Sequence, residues 1–276
     1  MKSLKFFAFI LVGLALTTTS CKKTDDNNNN NNNDPVKKTC YINKIDNGSD
    51  YSLLTYNSDH QVTKVVNYDS LGNPDGSRTD FFYSNGKIEK MENWDSGVLD
   101  SRIIYHYGTS GKPDSAYVWA DQGSGFAKVG VYITTFTGDN LTKVELSVEY
   151  NGVNLILNKT EYTYNGNNVA TTSVYNYDFT TFNMELSETR SYEYDSKKNP
   201  YRGIGLDNFF VADDVMFFSD NNATKETIKD ETGAVQQNES VNNTYEYNDD
   251  DYPTKVTSIT FDGSDTETTI LTYDCE

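Results

Sequence analysis

The chain is poor in the residues from which most catalytic and metal sites are built. Its 276 residues include two histidines and three cysteines. No His or Cys group has the spacing of a zinc site. Neither a Gly-x-Ser-x-Gly elbow nor a phosphate-cradling glycine loop occurs. His60 lies in the turn-like stretch Asn57-Ser58-Asp59-His60-Gln61, and His106 sits between Tyr105 and Tyr107 on the outward side of a strand. Asp46-Asn47-Gly48-Ser49-Asp50 has the look of a calcium loop but lacks the closing bidentate glutamate, and reads as a turn. The sequence therefore predicts no catalytic residue, no metal and no cofactor. Positive charge is scarce as well, with 23 Lys and Arg against 41 Asp and Glu and a net charge of −18. Nucleic acid and anionic headgroups associate through Lys and Arg, so neither is an expected partner. No segment sustains an apolar period of 3.6, which speaks against long helices.

The N-terminus reads as an export signal. Lys2 and Lys5 give residues 1–20 a positive start, Phe6 to Leu16 form an apolar run, and Thr17 to Ser20 are small or polar. That run is too short to span a bilayer as a helix, which takes about 20 residues. Cys21 follows directly, and a cysteine after small residues at this place resembles the lipobox of bacterial lipoproteins. Thr18 departs from the pattern, because Leu is commonest three positions before the cysteine. The resemblance implies acylation of Cys21, with the lipid bilayer as partner and several chains giving stable attachment. Residues 21–39 contain seven consecutive asparagines, Asn27 to Asn33, and read as a disordered tether. Lys22 and Lys23 with Asp25 and Asp26 resemble the charged tags that send lipoproteins to the outer face of the outer membrane. The expected location is the cell envelope, as an outer-membrane lipoprotein.

What is abundant is tyrosine, with 21 residues, and it is periodic. Tyr56, Tyr83, Tyr107, Phe136, Tyr164, Tyr194, Tyr247 and Tyr273 recur about every 27 residues, mostly before a polar turn. The one gap of 53, between Tyr194 and Tyr247, reads as two ordinary steps with one anchor lost. A fixed period of this size implies a repeated supersecondary unit, here one β-hairpin per beat. In Asn140 to Tyr150, Val144, Leu146, Val148 and Tyr150 alternate with Lys143, Glu145, Ser147 and Glu149, as in an antiparallel sheet with one wet face. Tyr105 with Tyr107, Tyr162 with Tyr164, and Tyr192 with Tyr194 share faces in the same way. Around Lys87 to Trp94 charges fall on both faces, which argues against a lipid-spanning strand. Asn47-Gly48, Asn85-Gly86, Ser96-Gly97, Asn165-Gly166 and Asp262-Gly263 supply the turns. The expected fold is all-β: an antiparallel β-meander of repeated hairpins in one domain over 40–276, a curved open sheet or half-barrel with tyrosines on the buried side. The aromatic stretch Asn199 to Phe218 lacks alternation and reads as a loop or short helical turn that plugs an open end. Cys40 and Cys275, at opposite ends of this domain, would form a disulfide if the terminal strands are neighbours, and are otherwise two separate thiols.

The Tyr-x-Tyr-Asn/Asp hairpins, the phrase Asn199-Pro200-Tyr201 with Gly203 and Leu206, and Asn221-Asn222-Ala223-Thr224-Lys225 are similar to an uncharacterised family of bacterial lipoproteins with a porin-like half-barrel. The Tyr-turn units also resemble the YD-type repeats of Rhs proteins, although the Gly-Arg pair of those repeats is missing here. The first resemblance implies a porin-like shape and no known reaction. The functional expectation is a non-enzymatic binding module for a glycan, peptide or apolar small molecule. Trp94, Trp119, Phe209 and Phe210 are the candidate ligand contacts. A structural envelope protein acting through protein contacts is the second reading. A glycoside hydrolase, which needs two carboxylates facing across a cleft, is the third.

Overall fold

The computed structural model describes residues 38–123, 125–150, 152–206 and 215–276. Sixteen strands follow in chain order: β1 (Cys40–Asp46), β2 (Asp50–Tyr56), β3 (Val62–Asp69), β4 (Pro74–Ser84), β5 (Lys87–Asp95), β6 (Val98–Tyr107), β7 (Pro113–Asp121) and β8 (Phe126–Thr137). The second half continues with β9 (Asn140–Tyr150), β10 (Val153–Asn165), β11 (Asn168–Asp178), β12 (Asn183–Tyr194), β13 (Ala223–Asp230), β14 (Val241–Tyr247), β15 (Pro253–Thr260) and β16 (Thr266–Cys275). Each strand pairs antiparallel with its sequence neighbours, as the hairpin rhythm predicts. The curvature continues past a half-barrel, because β1 pairs with β16 and closes the ring. Cys40 lies directly opposite Cys275 across that seam, and the two are joined by a disulfide.

Tight turns hold the register. Asn85 and Gly86, and Ser96 and Gly97, all have positive φ, which is the backbone twist that a two-residue hairpin needs to match its strands.

The eight aromatic anchors all lie within the last three residues of even-numbered strands, and each faces the same irregularity. The residue opposite each anchor on the next strand is Ile42, Val62, Ile88, Pro113, Leu141, Val169, Ala223 or Pro253. The residue after it is skipped by the pairing: Asn43, Thr63, Glu89, Asp114, Thr142, Ala170, Thr224 and Thr254 form β-bulges. A bulge bends its strand and increases the local twist, and one per hairpin at the same height supplies the curvature for closure. It also resets the inside–outside alternation, so Ile88 and Met91 both point inward and are buried. The alternation expected for Lys87 to Trp94 shifts accordingly, with Lys90, Glu92 and Trp94 outward.

The anchor hydroxyls complete the unit. Tyr56 donates to the Ile42 carbonyl at 2.6 Å, Tyr107 to Ile88 at 2.7 Å, Tyr164 to Leu141 at 2.9 Å and Tyr273 to Pro253 at 2.6 Å. Each ring thus crosses the inner face and ties the end of its hairpin to the beginning. Phe136 has no hydroxyl, and Thr134 donates instead to the Pro113 carbonyl at 2.6 Å. Burial pushes the Tyr107 and Tyr164 phenols up to about 12, so they remain donors at neutral pH.

The long step from Tyr194 to Tyr247 is not a pair of repeats with a lost anchor. One hairpin, β13–β14, fills part of it, and residues 195–222 form an insertion between β12 and β13. Its described parts, 195–206 and 215–222, plug the anchor end of the barrel. Ile204, Leu206, Val215 and Phe218 are buried with Val62, Ile88, Leu141 and Val169 in one core cluster.

Candidate functional site

The plug is built from the two phrases that stand out in the sequence. Asn199 is buried and donates through Nδ2 to the carbonyls of Met216 and Ser219, both at 2.7 Å, while its Oδ1 accepts from the Tyr201 amide at 3.0 Å. At the neck, Asn221 Nδ2 donates to the Lys197 carbonyl at 2.8 Å and Asn222 Nδ2 to the Lys198 carbonyl at 3.1 Å. Tyr247 donates its hydroxyl to the Asp195 carboxylate. The plug is fixed to the wall by the Val62 amide, which donates to the Ile204 carbonyl at 2.9 Å. A reciprocal pair between Asn168 and Asn221, both bonds at 3.0 Å, fastens it opposite. Ser219 takes the Val169 amide at 3.1 Å and lies 3.0 Å from the Tyr194 hydroxyl. Gly205, at φ +87°, sits so close to the wall that a Cβ there would lie 2.9 Å from Gln61 Cβ and Tyr83 Oη.

The plug fills the side of the barrel toward β3–β11 but leaves a cavity of about 110 Å³ against β13–β16. Its wall is Tyr245, Val256, Thr269 and Leu271, and its plug side is Pro200, Tyr201, Val215 and Met216. Asn243 also lines it. A dry apolar cavity of roughly 150 Å³ takes a benzene-sized guest, so this space suits about one small ring. Deeper along the same inner face lie charges. Arg190 contacts Glu188 at 2.5 Å and Glu226 at 3.4 Å. Burial holds the Glu226 carboxyl above its usual range despite that arginine.

Trp94 and Trp119 do not line this cavity. The register puts both on the outer wall, Trp94 opposite Arg78 and Trp119 between Arg102 and Lys128. The Arg78 guanidinium covers the Trp94 ring at 4.5 Å. Phe209, Phe210 and Cys21 lie outside the described residues. His60 stacks on Tyr41 at 4.4 Å and approaches Glu276 at 3.1 Å, and His106 packs on Tyr117 at 4.4 Å on the outer wall. Among the described residues one group has metal-ligand geometry, Cys40, Cys275 and Asp250. Both of its sulfurs are committed to the disulfide.

The outer wall is charged at mid-strand. Lys64, Asp80, Glu92 and Arg102 are successive cross-strand neighbours, with Glu92 bonded to Lys90 at 2.9 Å and Arg102 at 2.7 Å. Lys143–Glu145 and Lys159–Glu161 continue the pattern. A bilayer-crossing barrel presents an apolar band at this height, where this wall carries ion pairs.

The cavity was not legible in the sequence. Alternation marks inward faces, but which part of the barrel the plug leaves open depends on how the insertion between β12 and β13 packs.

Comparisons with known proteins fit this architecture. The chain is similar to the crystal structure of a porin-like protein from Bacteroides vulgatus, with a TM-score of 0.56 and 13% identity over 86% of this chain and 99% of that one. A porin-like protein from Bacteroides uniformis gives 0.54 and 11% over 84% and 96%. No family model and no curated protein matches. The chain shares with these two proteins a porin-like, antiparallel barrel fold.

Proposed function

We propose that the chain is a non-enzymatic envelope protein, anchored through acylated Cys21, whose barrel interior captures a small, largely apolar molecule. The observation that carries this reading is the ring-lined cavity left between the plug and β13–β16, in a barrel otherwise packed at that end. Among a glycan, a peptide and an apolar small molecule, a lining of Tyr201, Tyr245, Val215, Val256 and Leu271 favours the last. The charged outer wall supports a water-facing barrel held near a membrane rather than one inserted in it.

The test is a thermal-shift titration of the purified full chain with toluene and ethylbenzene, beside a Val256→Trp variant that fills the cavity. Stabilisation of the parent chain and its loss in the variant is the expected result. No stabilisation by either hydrocarbon rejects the reading and favours a structural envelope protein, which the packing of the plug against β3–β11 would serve. Labelled palmitate incorporated by the parent chain and not by Cys21→Ser tests the anchor separately.

A further inference from the structure

We infer that the interior site selects a ligand carrying a hydrogen-bond donor of the primary-ammonium class, an aryl-alkylamine rather than an aryl acid; this rests on the interior-binding reading above. Asn243 provides the first observation. Its Nδ2 donates to the Ala223 carbonyl at 2.7 Å, which fixes the amide so that Oδ1 faces the other way. That Oδ1 is buried and has no hydrogen-bond partner among the described residues, and Asn243 lines the cavity. The second observation is independent. Ser258 lies directly opposite Asn243 on β15, is 0% exposed, and its Oγ is likewise without a partner among the described residues. Buried polar groups in folded chains are almost always paired, so two unpaired neighbours on one inward face mark a place where another molecule's polar group belongs.

Charge decides which polar group. Across β16 from Ser258 stands Glu267, whose carboxyl is raised by burial and by the nearby Asp265 and Asp50. On β13, Glu226 lies opposite Val241, just along β14 from Asn243. Glu188 and Glu226 both contact Arg190. Asn243 therefore shares this part of the inner face with three carboxylates and one guanidinium, a local excess of negative charge that repels a carboxylate and attracts an ammonium. The Tyr201 and Tyr245 rings that line the cavity suit the rest of such a ligand and favour a nearby cation through their faces. An ammonium offers three donors and no acceptor, one of them for Asn243 Oδ1 at the cavity wall.

The experiment titrates the full chain with four probes of similar size: 2-phenylethylamine, 2-phenylethanol, phenylacetate and ethylbenzene. The expected order places 2-phenylethylamine about tenfold or more tighter than phenylacetate and ethylbenzene. Asn243→Leu, close in volume, should remove that preference, so that the amine binds this variant no tighter than ethylbenzene binds it. Ser258→Ala is the milder second variant and should reduce the preference in part, even where Asn243→Leu fails to fold. Ethylbenzene or phenylacetate binding as tightly as the amine overturns the inference and leaves interior binding standing. Failure of all four probes overturns both.

Discussion

Tyr83 donates its hydroxyl to the carbonyl of Val62 at 2.8 Å, from the end of β4 to the start of β3. That carbonyl belongs to the residue that sits opposite Tyr56 beside a bulge. A tyrosine therefore closes its own hairpin and meets the next hairpin at one level of the barrel. Tyr83→Phe, Tyr107→Phe and Tyr164→Phe should each cost about 0.5–1.5 kcal/mol, the usual net worth of such a bond, read as a fall in urea midpoint. Phe136→Tyr should give no matching gain, because Thr134 already occupies the Pro113 carbonyl.

The plug depends on Asn199. Asn199→Ala strips the donors from two carbonyls inside the insertion, and the loss should be roughly 2–4 kcal/mol with faster proteolytic cutting within 195–222. Gly205→Ala should act in the same direction through a different cause. It combines a positive φ with contacts at 2.9 Å to Gln61 and Tyr83, so its damage should be relieved by Gln61→Ala only in part.

Reducing the Cys40–Cys275 bond should lower stability by up to roughly 5 kcal/mol in the loop-entropy account, since it closes a loop across a separation of 235 residues. The barrel should remain closed below its new melting temperature, because β1 and β16 keep their ladder from Tyr41 to Asp46. Calorimetry with and without reductant gives the size of the loss. Circular dichroism of the reduced chain checks that the sheet survives.

Acid should destabilise the chain through its turn aspartates. Asp69 is held below its ordinary value chiefly by the Asn73 amide, Asp178 by the Thr180 amide, Asp230 by the Thr232 hydroxyl and Asp262 by the Thr260 hydroxyl. A carboxyl with a lowered folded pKa contributes stability that is present above its unfolded value and lost as pH falls through the folded one. Glu226 and Glu267 have the opposite sign, since burial raises them from 4.5, and their contribution is lost as pH rises through their folded values. Melting temperature should therefore drop below about pH 4 and decline more gently above it. Glu226→Gln with Glu267→Gln should flatten the upper limb and leave the acid limb unchanged.

Much of the frame is legible in the sequence. The anchors from Tyr56 to Tyr273 mark the ends of the even strands, and pairs such as Tyr105–Tyr107 and Tyr162–Tyr164 point inward as their spacing predicts. The bulges were written there too, in a signal that strict alternation hides. Ile42 and Ile45, Val62 and Val65, Ile88 and Met91, and Leu141 and Val144 are inward pairs three residues apart, a spacing a regular strand cannot bury on one face. The 53-residue gap misled because a length equal to two periods looks like two units, while only β13–β14 is a repeat and Asn199 and Asn222 tie the rest into an insertion. Asn243 Oδ1 and Ser258 Oγ, without a partner among the described residues, carry no sequence signal, since their juxtaposition arises only from the β14–β15 register.

The join between β1 and β16 is made like the other seven, with a bulge at Asn43, Tyr273 opposite Ile42, and the main chains of Thr39 and Glu276 side by side at 3.0–3.1 Å. Nothing in the backbone pattern marks that join as special apart from the sulfur bridge. The ring has in this sense no obligatory starting point. A permuted gene that links Glu276 to Lys38 and opens the chain at Asn85–Gly86 should yield the same circle of strands, with the covalent gap moved to another hairpin.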